Sequence, residues 1–439
     1  MPDSALRITF TAIWAALHTT QYGLAITGLN GISEALTCAS VPVRDDLVAP
    51  VKSGWLTPCV RMSSAQFGLV VSILTMGGLV GALSCDLVTR RFGRIGTLRI
   101  SAGIILFGSA AVALANTFTA MLVGRALIGY GCGLSTVSVP LYLSEIAPPR
   151  YKRSLGIMNQ FAIVTGMLIA QSLSFPWAKA FIWRLVPVVS MGVAVLQLLG
   201  SLLMRETRGD LQVGAAVAGD EETPLLAVAK EKPMGITDLF TSSDPVILRG
   251  LVIVTQLAQQ ICGVSPVMYF STRILKPVFP GNSQLVALLI VLFKIPLTLV
   301  PAFLIERLGS RRILLFSSAV VSLASLLLAM SLNADLPIPS GLAILTFVAA
   351  FSVGLGPVTW VVLSEVMPPH ASTAAGAIGI GLNWTMAFIM GAMFLPLQEA
   401  LSSGDGKGEG NIFFVFAATC TMAFVAIRVS YGLYDKVAK

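Results

Sequence analysis

The octapeptide LSEIAPPR at Leu143–Arg150 returns as LSEVMPPH at Leu363–His370, 220 positions later in the chain. A second, weaker similarity exists between RFGR at Arg91–Arg94 and RLGSRR at Arg307–Arg312. An internal repeat over this distance predicts two structurally related halves. Halves repeated in parallel orientation are typical of membrane transporters that rock two helical bundles about a central site.

The composition of the chain favours the same class of protein. Of the 439 residues, 55% are hydrophobic and only 11% are charged, and the mean hydropathy is +0.84. A typical soluble domain carries roughly 25% charged residues. We therefore predict an all-α membrane protein that crosses the bilayer many times.

Apolar runs of about 20 residues recur along the chain, and this is the length that a helix needs to cross a hydrocarbon core of ~30 Å. We place twelve spans at Ile8–Leu29, Gln66–Cys85, Thr97–Ala115, Ala120–Leu143, Ser154–Phe175, Ile182–Met204, Ile247–Phe270, Gln284–Ile305, Ile313–Leu332, Gly341–Leu363, Ala374–Leu397 and Ile412–Tyr431. The first span is expected to be a retained helix rather than a signal peptide.

A polar segment that contains GDEETPLL divides the spans six and six. We predict an N-terminal six-helix bundle over residues 1–204, a cytosolic central loop over 205–245 and a C-terminal six-helix bundle over 246–439. The repeat indicates that the two bundles are pseudo-symmetric.

Basic residues set the predicted orientation. They cluster in three short loops, at Arg90, Arg91, Arg94 and Arg99, at Arg150, Lys152 and Arg153, and at Arg307, Arg311 and Arg312. Because the intervening short loops are poor in Lys and Arg, the positive-inside rule places these three loops, the central segment and both termini in the cytosol. The net charge of +8 then reflects topology, and we expect no binding of nucleic acid.

One apolar run holds three uncharged carboxamides, Gln256, Gln259 and Gln260. Their spacing of i, i+3 and i+4 puts them on one face of a helix. We expect this face either to bind a polar ligand or to tie neighbouring helices together, by hydrogen bonds of about 0.6 to 2 kcal/mol each.

Longer motifs resemble a known family. GRALIGYGCGLSTVSVPLYLSEIAPPRYKRSLGIMNQFAIVTGMLIAQ at Gly124–Gln171 is similar to the sugar porter family of the major facilitator superfamily, close to the facilitative glucose transporters. So are QQICGVSPVMYFST at Gln259–Thr272, GPVTWVVLSE at Gly356–Glu365 and GLNWTMAFIMG at Gly381–Gly391. The resemblance implies the major facilitator fold and a carrier, not an enzyme, that moves a hexose or related polyol by alternating access.

The resemblance also implies a set of sugar-binding residues. They are Gln160, Gln259, Gln260, Trp360 and Asn383, and Gln256 is a further candidate on the same helix face. A carboxamide offers donors and an acceptor to hydroxyl groups, and a neutral polyol calls for no full charge. An indole ring can lie against the apolar C–H face of a pyranose.

Two residues of the predicted site depart from the family. Ser265 replaces an Asn, and Lys294 stands where the glucose transporters place a sugar-binding Asn. A cation at this depth needs a wet cavity or a partner. We consider four roles for Lys294: a hydrogen-bond donor to a sugar, a counter-charge for an acidic substrate such as a sugar acid, a proton-linked group, and a structural group.

Proton coupling is not expected. Proton-coupled members of the family carry an Asp at the position that Ala25 occupies here. Without a carboxylate in the cavity there is little to couple a proton gradient to transport, so we predict uniport. Proton-coupled symport of a sugar or sugar acid, and a sugar sensor that does not transport, are the alternatives.

The resemblance assigns a cytosolic gate to charged residues at the helix ends. They are Arg91, Arg94, Glu145, Arg153, Arg307, Arg311 and Glu365. In the family such acids pair with arginines across the two bundles when the transporter faces outward, and anchoring of helix ends at the membrane interface is the alternative. Arg90 and Asp86 depart from the family's pattern, which predicts a rewired charge network in that loop.

Cys38 and Cys59 lie in one predicted non-cytosolic loop, where a disulfide can form in an oxidising compartment, and two free thiols are the alternative.

The sequence holds no metal- or nucleotide-binding motif, so we expect no metal and no cofactor. GYGCG at Gly129–Gly133 is predicted to permit close helix packing within the membrane.

Glu221, Leu225 and Leu226 in EETPLL fit the acidic dileucine pattern that sorting adaptors read, although so short a pattern also arises by chance. We predict a multi-pass protein of the vacuolar or lysosomal membrane, with the plasma membrane as the alternative. The expected partners are a small sugar, the lipid bilayer and sorting adaptors, and we expect a monomer.

Overall fold

The computed structural model describes residues 2–38, 55–146, 152–204, 206, 246–367, 369–402 and 408–437. These segments are helical almost throughout, which confirms the all-α prediction. The N-terminal helices are α1 (Pro2–Thr27), α2 (Ser33–Leu36), α3 (Ser64–Ala113), α4 (Phe118–Ile146), α5 (Lys152–Trp177) and α6 (Leu185–Gly200). The C-terminal helices are α7 (Val246–Ile261), α8 (Val264–Leu275), α9 (Ser283–Leu297), α10 (Val300–Leu308), α11 (Ser310–Asn333), α12 (Pro337–Val353), α13 (Val358–Val366), α14 (Pro369–Leu401) and α15 (Asn411–Val437).

Within the described residues, eight helical stretches are long and apolar enough to cross a membrane, and α9 is a shorter apolar helix. The twelve predicted spans all fall on described helices, whereas the number of membrane crossings stays a prediction. Two predicted spans, Gln66–Cys85 and Thr97–Ala115, belong to the single long element α3. The chain changes direction within α3 at Gly93, whose φ of 74° favours glycine because glycine has no Cβ.

Three of the predicted C-terminal spans are each broken into two helices, as α7 and α8, α9 and α10, and α12 and α13. The first break contains Gly263, whose φ is 86°. Pro296, which has no N–H to donate, lies just before the second break. Backbone groups freed inside a membrane must find partners in the protein, and the carbonyl of Gly356 at the third break accepts from the Gln259 side chain.

Apolar side chains cover the outside of the helical bundle, while small polar side chains lie inside. Phe107, Phe303 and Phe316 are 70% to 73% exposed. Ser101, by contrast, is fully buried, and its Oγ donates to the Gly131 carbonyl at 2.7 Å. This distribution suits a protein that is surrounded by hydrocarbon, because lipid tails accept no hydrogen bonds.

Helices α3 and α4 pack at close range through glycines, as the motif at Gly129–Gly133 predicts. A Cβ added at Gly129 would lie 2.0 Å from the Leu74 carbonyl oxygen, and one added at Gly133 would lie 2.1 Å from the Gly78 carbonyl oxygen. Real Cβ atoms do not approach backbone so closely, so the two helices could not pack in this way with larger residues.

The N-terminal and C-terminal helices meet along three main contacts. Helix α14 packs against α3, α9 packs against α5, and α8 contacts α1. The candidate site lies between these two sets of helices.

We predict that Gly133→Ala destabilises the protein by about 1 to 3 kcal/mol, because the added methyl group overpacks the contact between α3 and α4. Gly192→Ala is the matched control, since a Cβ there has no atom within 4 Å. Both substitutions raise intrinsic helix propensity equally. Thermal melting of the purified variants in detergent measures the difference, and equal melting temperatures would contradict the close packing.

Candidate functional site

A cavity of about 170 Å³ lies between the N-terminal and C-terminal helices. Its lining consists of Tyr22, Ile26, Thr75, Met167, Gln260, Val264, Ser265, Met268, Tyr269, Lys294, Phe351, Asn383, Trp384 and Ala387. Pockets for drug-sized ligands occupy about 300 to 1,000 Å³, so this cavity suits a smaller solute. Hydroxyl, carboxamide and aromatic groups dominate the wall.

The polar wall is organised around Asn383 on α14. Its Oδ1 accepts from Gln260 Nε2 at 3.0 Å, and its Nδ2 donates to Gln259 Oε1 and, at 3.2 Å, to Gln256 Oε1. Ser265 Oγ donates to Gln260 Oε1 at 2.7 Å. The three predicted glutamines of α7 therefore converge on one asparagine of another helix, and a single network holds α7, α8 and α14 together.

The network has an inner and an outer layer. Gln260, Ser265 and Asn383 line the cavity, whereas Gln256 and Gln259 lie behind them. The Nε2 group of Gln256 is buried and has no hydrogen-bond partner among the described residues. The outer pair orients Asn383, and the inner three residues present polar groups to a ligand.

Two predicted sugar-binding residues are not among those that line this cavity. The side chains of Gln160 and Trp360 are exposed, and neither residue lines the cavity. The indole ring on the wall belongs to Trp384, which stacks on Tyr22 with ring centroids 5.7 Å apart. Trp384 also lies against Gly78, where an added Cβ would be 1.4 Å from the ring.

Sequence reasoning did not select Tyr22, Thr75, Tyr269 or Trp384 for the site. Trp384 follows Asn383 directly, and this adjacency was a usable signal for it. The others carried no such signal, because a helical face shows which residues lie together but not which helix they meet.

Lys294 lines the cavity and is buried, with 7% of its surface exposed. Its Nζ lies 3.9 Å from the Sδ of Met268, which is a weak acceptor. The described residues of the wall include no Asp or Glu. The ammonium group is thus the charged group of the cavity wall.

A second buried cation lies close to Ala25. Arg125 is 3% exposed, and its Nη1 donates to the Ala25 carbonyl at 2.8 Å. Its other nitrogens approach the carbonyl oxygens of Val70 and Val71 at 3.4 and 3.3 Å. Backbone carbonyls, which do not titrate, therefore satisfy this guanidinium.

At the predicted non-cytosolic end, hydrogen bonds join the two sets of helices. Asn30 Nδ2 donates to Ser271 Oγ at 2.7 Å, and Asn30 Oδ1 accepts from the Thr272 backbone N–H at 3.2 Å. Gln171 Oε1 accepts from Asn30 Nδ2 at 3.2 Å, and Gln171 Nε2 donates to Thr272 Oγ1 at 3.4 Å. These groups are buried, so the contact is dry.

Charged groups reinforce the same end. Lys276 pairs with Glu34, and Arg273 Nη2 donates to Ser64 Oγ at 2.9 Å, so that α8 is attached to α2 and α3. Gln284 Nε2 donates to the carbonyl of Gly31 at 2.8 Å. The cavity is closed on this side.

A vestibule of about 550 Å³ adjoins this closure and is lined by Glu34, Arg273, Lys276 and Glu409, among others. Burial raises the pKa of Glu409 above its usual value, and the nearby Arg273 opposes that shift. The vestibule therefore carries charges of both signs.

The predicted gating residues, at the predicted cytosolic end, make contacts within their own set of helices. Arg94 pairs with Glu145 at 3.0 Å, and Glu365 accepts from Ser310 Oγ at 2.8 Å. Arg311 pairs with Asp435. Each of these three contacts joins residues of the same set of helices.

Other charged residues near that end cap a helix, form an ion pair or are exposed. The Glu206 carboxylate accepts from the backbone N–H of Ile95 at 3.1 Å, which caps the helical segment after Gly93. Arg90 pairs with Asp86 at 2.8 Å on the exposed surface. Arg91 and Arg307 are exposed.

Several predicted features lie outside the described residues, namely the Arg153 side chain and the sorting residues Glu221, Leu225 and Leu226.

Cys38 and Cys59 form a disulfide with Cα atoms 5.3 Å apart. The bond links the end of α2 to the chain before α3.

A helical membrane bundle with a small polar cavity between two sets of helices, closed at one end by contacts across the cavity, has the architecture of an alternating-access carrier. The chain belongs to the sugar transporter family. The model of the family described as "Sugar (and other) transporter" matches residues 11–431.

Several known proteins are similar to this chain. A "probable metabolite transport protein" of Saccharomyces cerevisiae is 27% identical, over 93% of this chain and 89% of its own length. The "vacuolar protein sorting-associated protein 73" of the same yeast is 23% identical, over 98% and 93%. The mouse "facilitated glucose transporter member 4" of solute carrier family 2 is 29% identical, over 76% and 72%. The inward-open xylose transporter of E. coli superimposes with a TM-score of 0.74 at 18% identity, over 96% and 95% of the two chains, which shows the shared fold.

We predict that Glu34→Lys weakens the closure at the predicted non-cytosolic end, because it places two cations next to each other. An ion pair that is about half exposed contributes roughly 0 to 1 kcal/mol, so we expect a change of about two- to fivefold. The readout is the rate at which an impermeant maleimide modifies a Ser271→Cys reporter in this closed contact.

The charge-swapped double variant, Glu34→Lys with Lys276→Glu, serves as the control and should return the rate to that of the reporter alone. An unchanged rate in the single variant would show that the ion pair does not hold this end closed.

Proposed function

We propose that this protein carries a hexose or related polyol across a membrane by alternating access, as a facilitator without proton coupling. The observation that carries this proposal is the amide and hydroxyl wall formed by Gln260, Ser265 and Asn383 in a small cavity between two sets of helices. Hydroxyl groups of a sugar need both donors and acceptors, and these three side chains supply both.

We further propose that residues 1–204 and 246–439 move as two bundles, connected by the central loop at 205–245. The contacts at the predicted non-cytosolic end support this cycle, since hydrogen bonds and an ion pair join the two sets of helices there. In the opposite state the non-cytosolic contacts would separate, and Glu145 and Glu365 would pair with arginines of the other bundle.

Two observations support uniport. The described wall of the cavity contains no carboxylate that could bind and release a proton there. At Ala25, where proton-coupled relatives carry an acid, the neighbouring Arg125 is satisfied by backbone carbonyls. A proton gradient therefore has no evident carboxylate on which to act.

The test is uptake of labelled D-glucose into liposomes that contain the purified protein. We expect uptake to stop when the inside and outside concentrations are equal, and to be unaffected by an imposed pH gradient. Accumulation driven by the gradient would overturn uniport, and the absence of uptake of any neutral or acidic sugar would overturn the proposed function.

Asn383→Ala should lower this uptake at least tenfold, because it removes the side chain on which the three glutamines converge. Asn282→Ala is the matched control, since Asn282 is exposed and its side chain does not cap α9. Elution from a size-exclusion column shows whether each variant is folded.

We also propose residence in the vacuolar or lysosomal membrane. The acidic dileucine pattern of Glu221, Leu225 and Leu226 supports this location, as does the similarity to a relative whose name refers to vacuolar protein sorting.

Leu225→Ala with Leu226→Ala should redirect a fluorescently tagged protein to the plasma membrane. An unchanged distribution would remove the signal, and Leu211→Ala in the same loop is the control.

A further inference from the structure

The Lys294 ammonium group differs from the other buried cations of the described chain in its surroundings. Arg125 donates to three backbone carbonyl oxygens. Arg184 donates to the carbonyl oxygens of Ala113, Ala115 and Thr57 at 2.6 to 2.8 Å. Lys294 has only the Met268 sulfur, at 3.9 Å, as a described contact of its Nζ.

Two amide oxygens of the cavity wall accept hydrogen bonds from other side chains. Gln260 Oε1 accepts from Ser265, and Asn383 Oδ1 accepts from Gln260. A buried ammonium without strong acceptors is costly, and the cost falls when an anion lies beside it. Since the described wall provides no carboxylate, a ligand is the available source of an anion beside Lys294.

We infer that the preferred substrate is an anionic monosaccharide, a sugar acid with one carboxylate, whose carboxylate pairs with Lys294 while its hydroxyl groups meet Gln260, Ser265 and Asn383. This inference rests on the proposed function and narrows its substrate class. A monocarboxylate matches the single positive charge of the wall, whereas a phosphate ester at neutral pH carries nearly two charges. The cavity of about 170 Å³ suits a ligand of monosaccharide size.

The test compares two ligands of nearly equal shape. D-glucuronate carries a carboxylate, and D-glucuronamide carries a neutral carboxamide at the same carbon. Both compete with labelled D-glucose for uptake into proteoliposomes, at a pH at which the carboxylate is ionised. We expect glucuronate to inhibit at a concentration at least tenfold lower than glucuronamide, which corresponds to about 1.4 kcal/mol.

The variants assign the effect to one residue. Lys294→Asn and Lys294→Met should abolish the preference for the acid, and glucuronamide should then inhibit at least as well as glucuronate. Lys179→Asn is the matched control, because it removes an exposed lysine outside the cavity and should leave the preference unchanged.

The outcomes separate the two proposals. Glucose uptake that both compounds inhibit equally would overturn the anionic substrate and leave the sugar carrier standing. A preference for the acid that persists in the folded Lys294 variants would overturn the role of Lys294. Failure to transport glucose and labelled glucuronate alike would overturn both proposals. If neither Lys294 variant folds, the comparison of the two ligands on the unaltered protein still decides the substrate class.

Discussion

Hydrocarbon offers no hydrogen-bond partner, and this constraint governs the whole structure. Backbone groups in the described chain are satisfied within helices, and apolar side chains such as Phe107 face outward. Where a helix is interrupted, the protein supplies a replacement partner, as Gln259 does for the carbonyl of Gly356. For the same reason, the guanidinium group of Arg125 donates hydrogen bonds to three carbonyl oxygens.

Because of the same constraint, polar groups that lack a full set of hydrogen-bond or charge partners call for an explanation. Gln260, Ser265 and Asn383 bond to one another and still face a cavity, and Lys294 contributes a charge there without an acidic neighbour in the described wall. A ligand that brings hydroxyl groups and one negative charge would complete this set. Helix packing alone therefore does not explain why the wall of the cavity is polar.

Closure at the predicted non-cytosolic end depends on many contacts, each of modest energy. Buried hydrogen bonds within membranes average about 0.6 kcal/mol, and a half-exposed ion pair such as Glu34–Lys276 contributes roughly 0 to 1 kcal/mol. Contacts of this size can be exchanged for others of similar strength at the opposite end. An alternating-access cycle needs such a balance, because its two states must differ by only a few kcal/mol.

Local spacing and hydrophobic runs were sufficient to predict the helical membrane class, the repeat and the carboxamide face of α7. The packing of the helices, by contrast, makes Asn383 the common partner of the three glutamines, brings Trp384 rather than Trp360 to the cavity wall, and stacks Tyr22 on Trp384. The tertiary structure also decided the break at Gly263 and the cap that Glu206 provides to α3. The physical reason is that periodicity defines the face of one helix, whereas the identity of the neighbour across that face depends on how all the helices pack together.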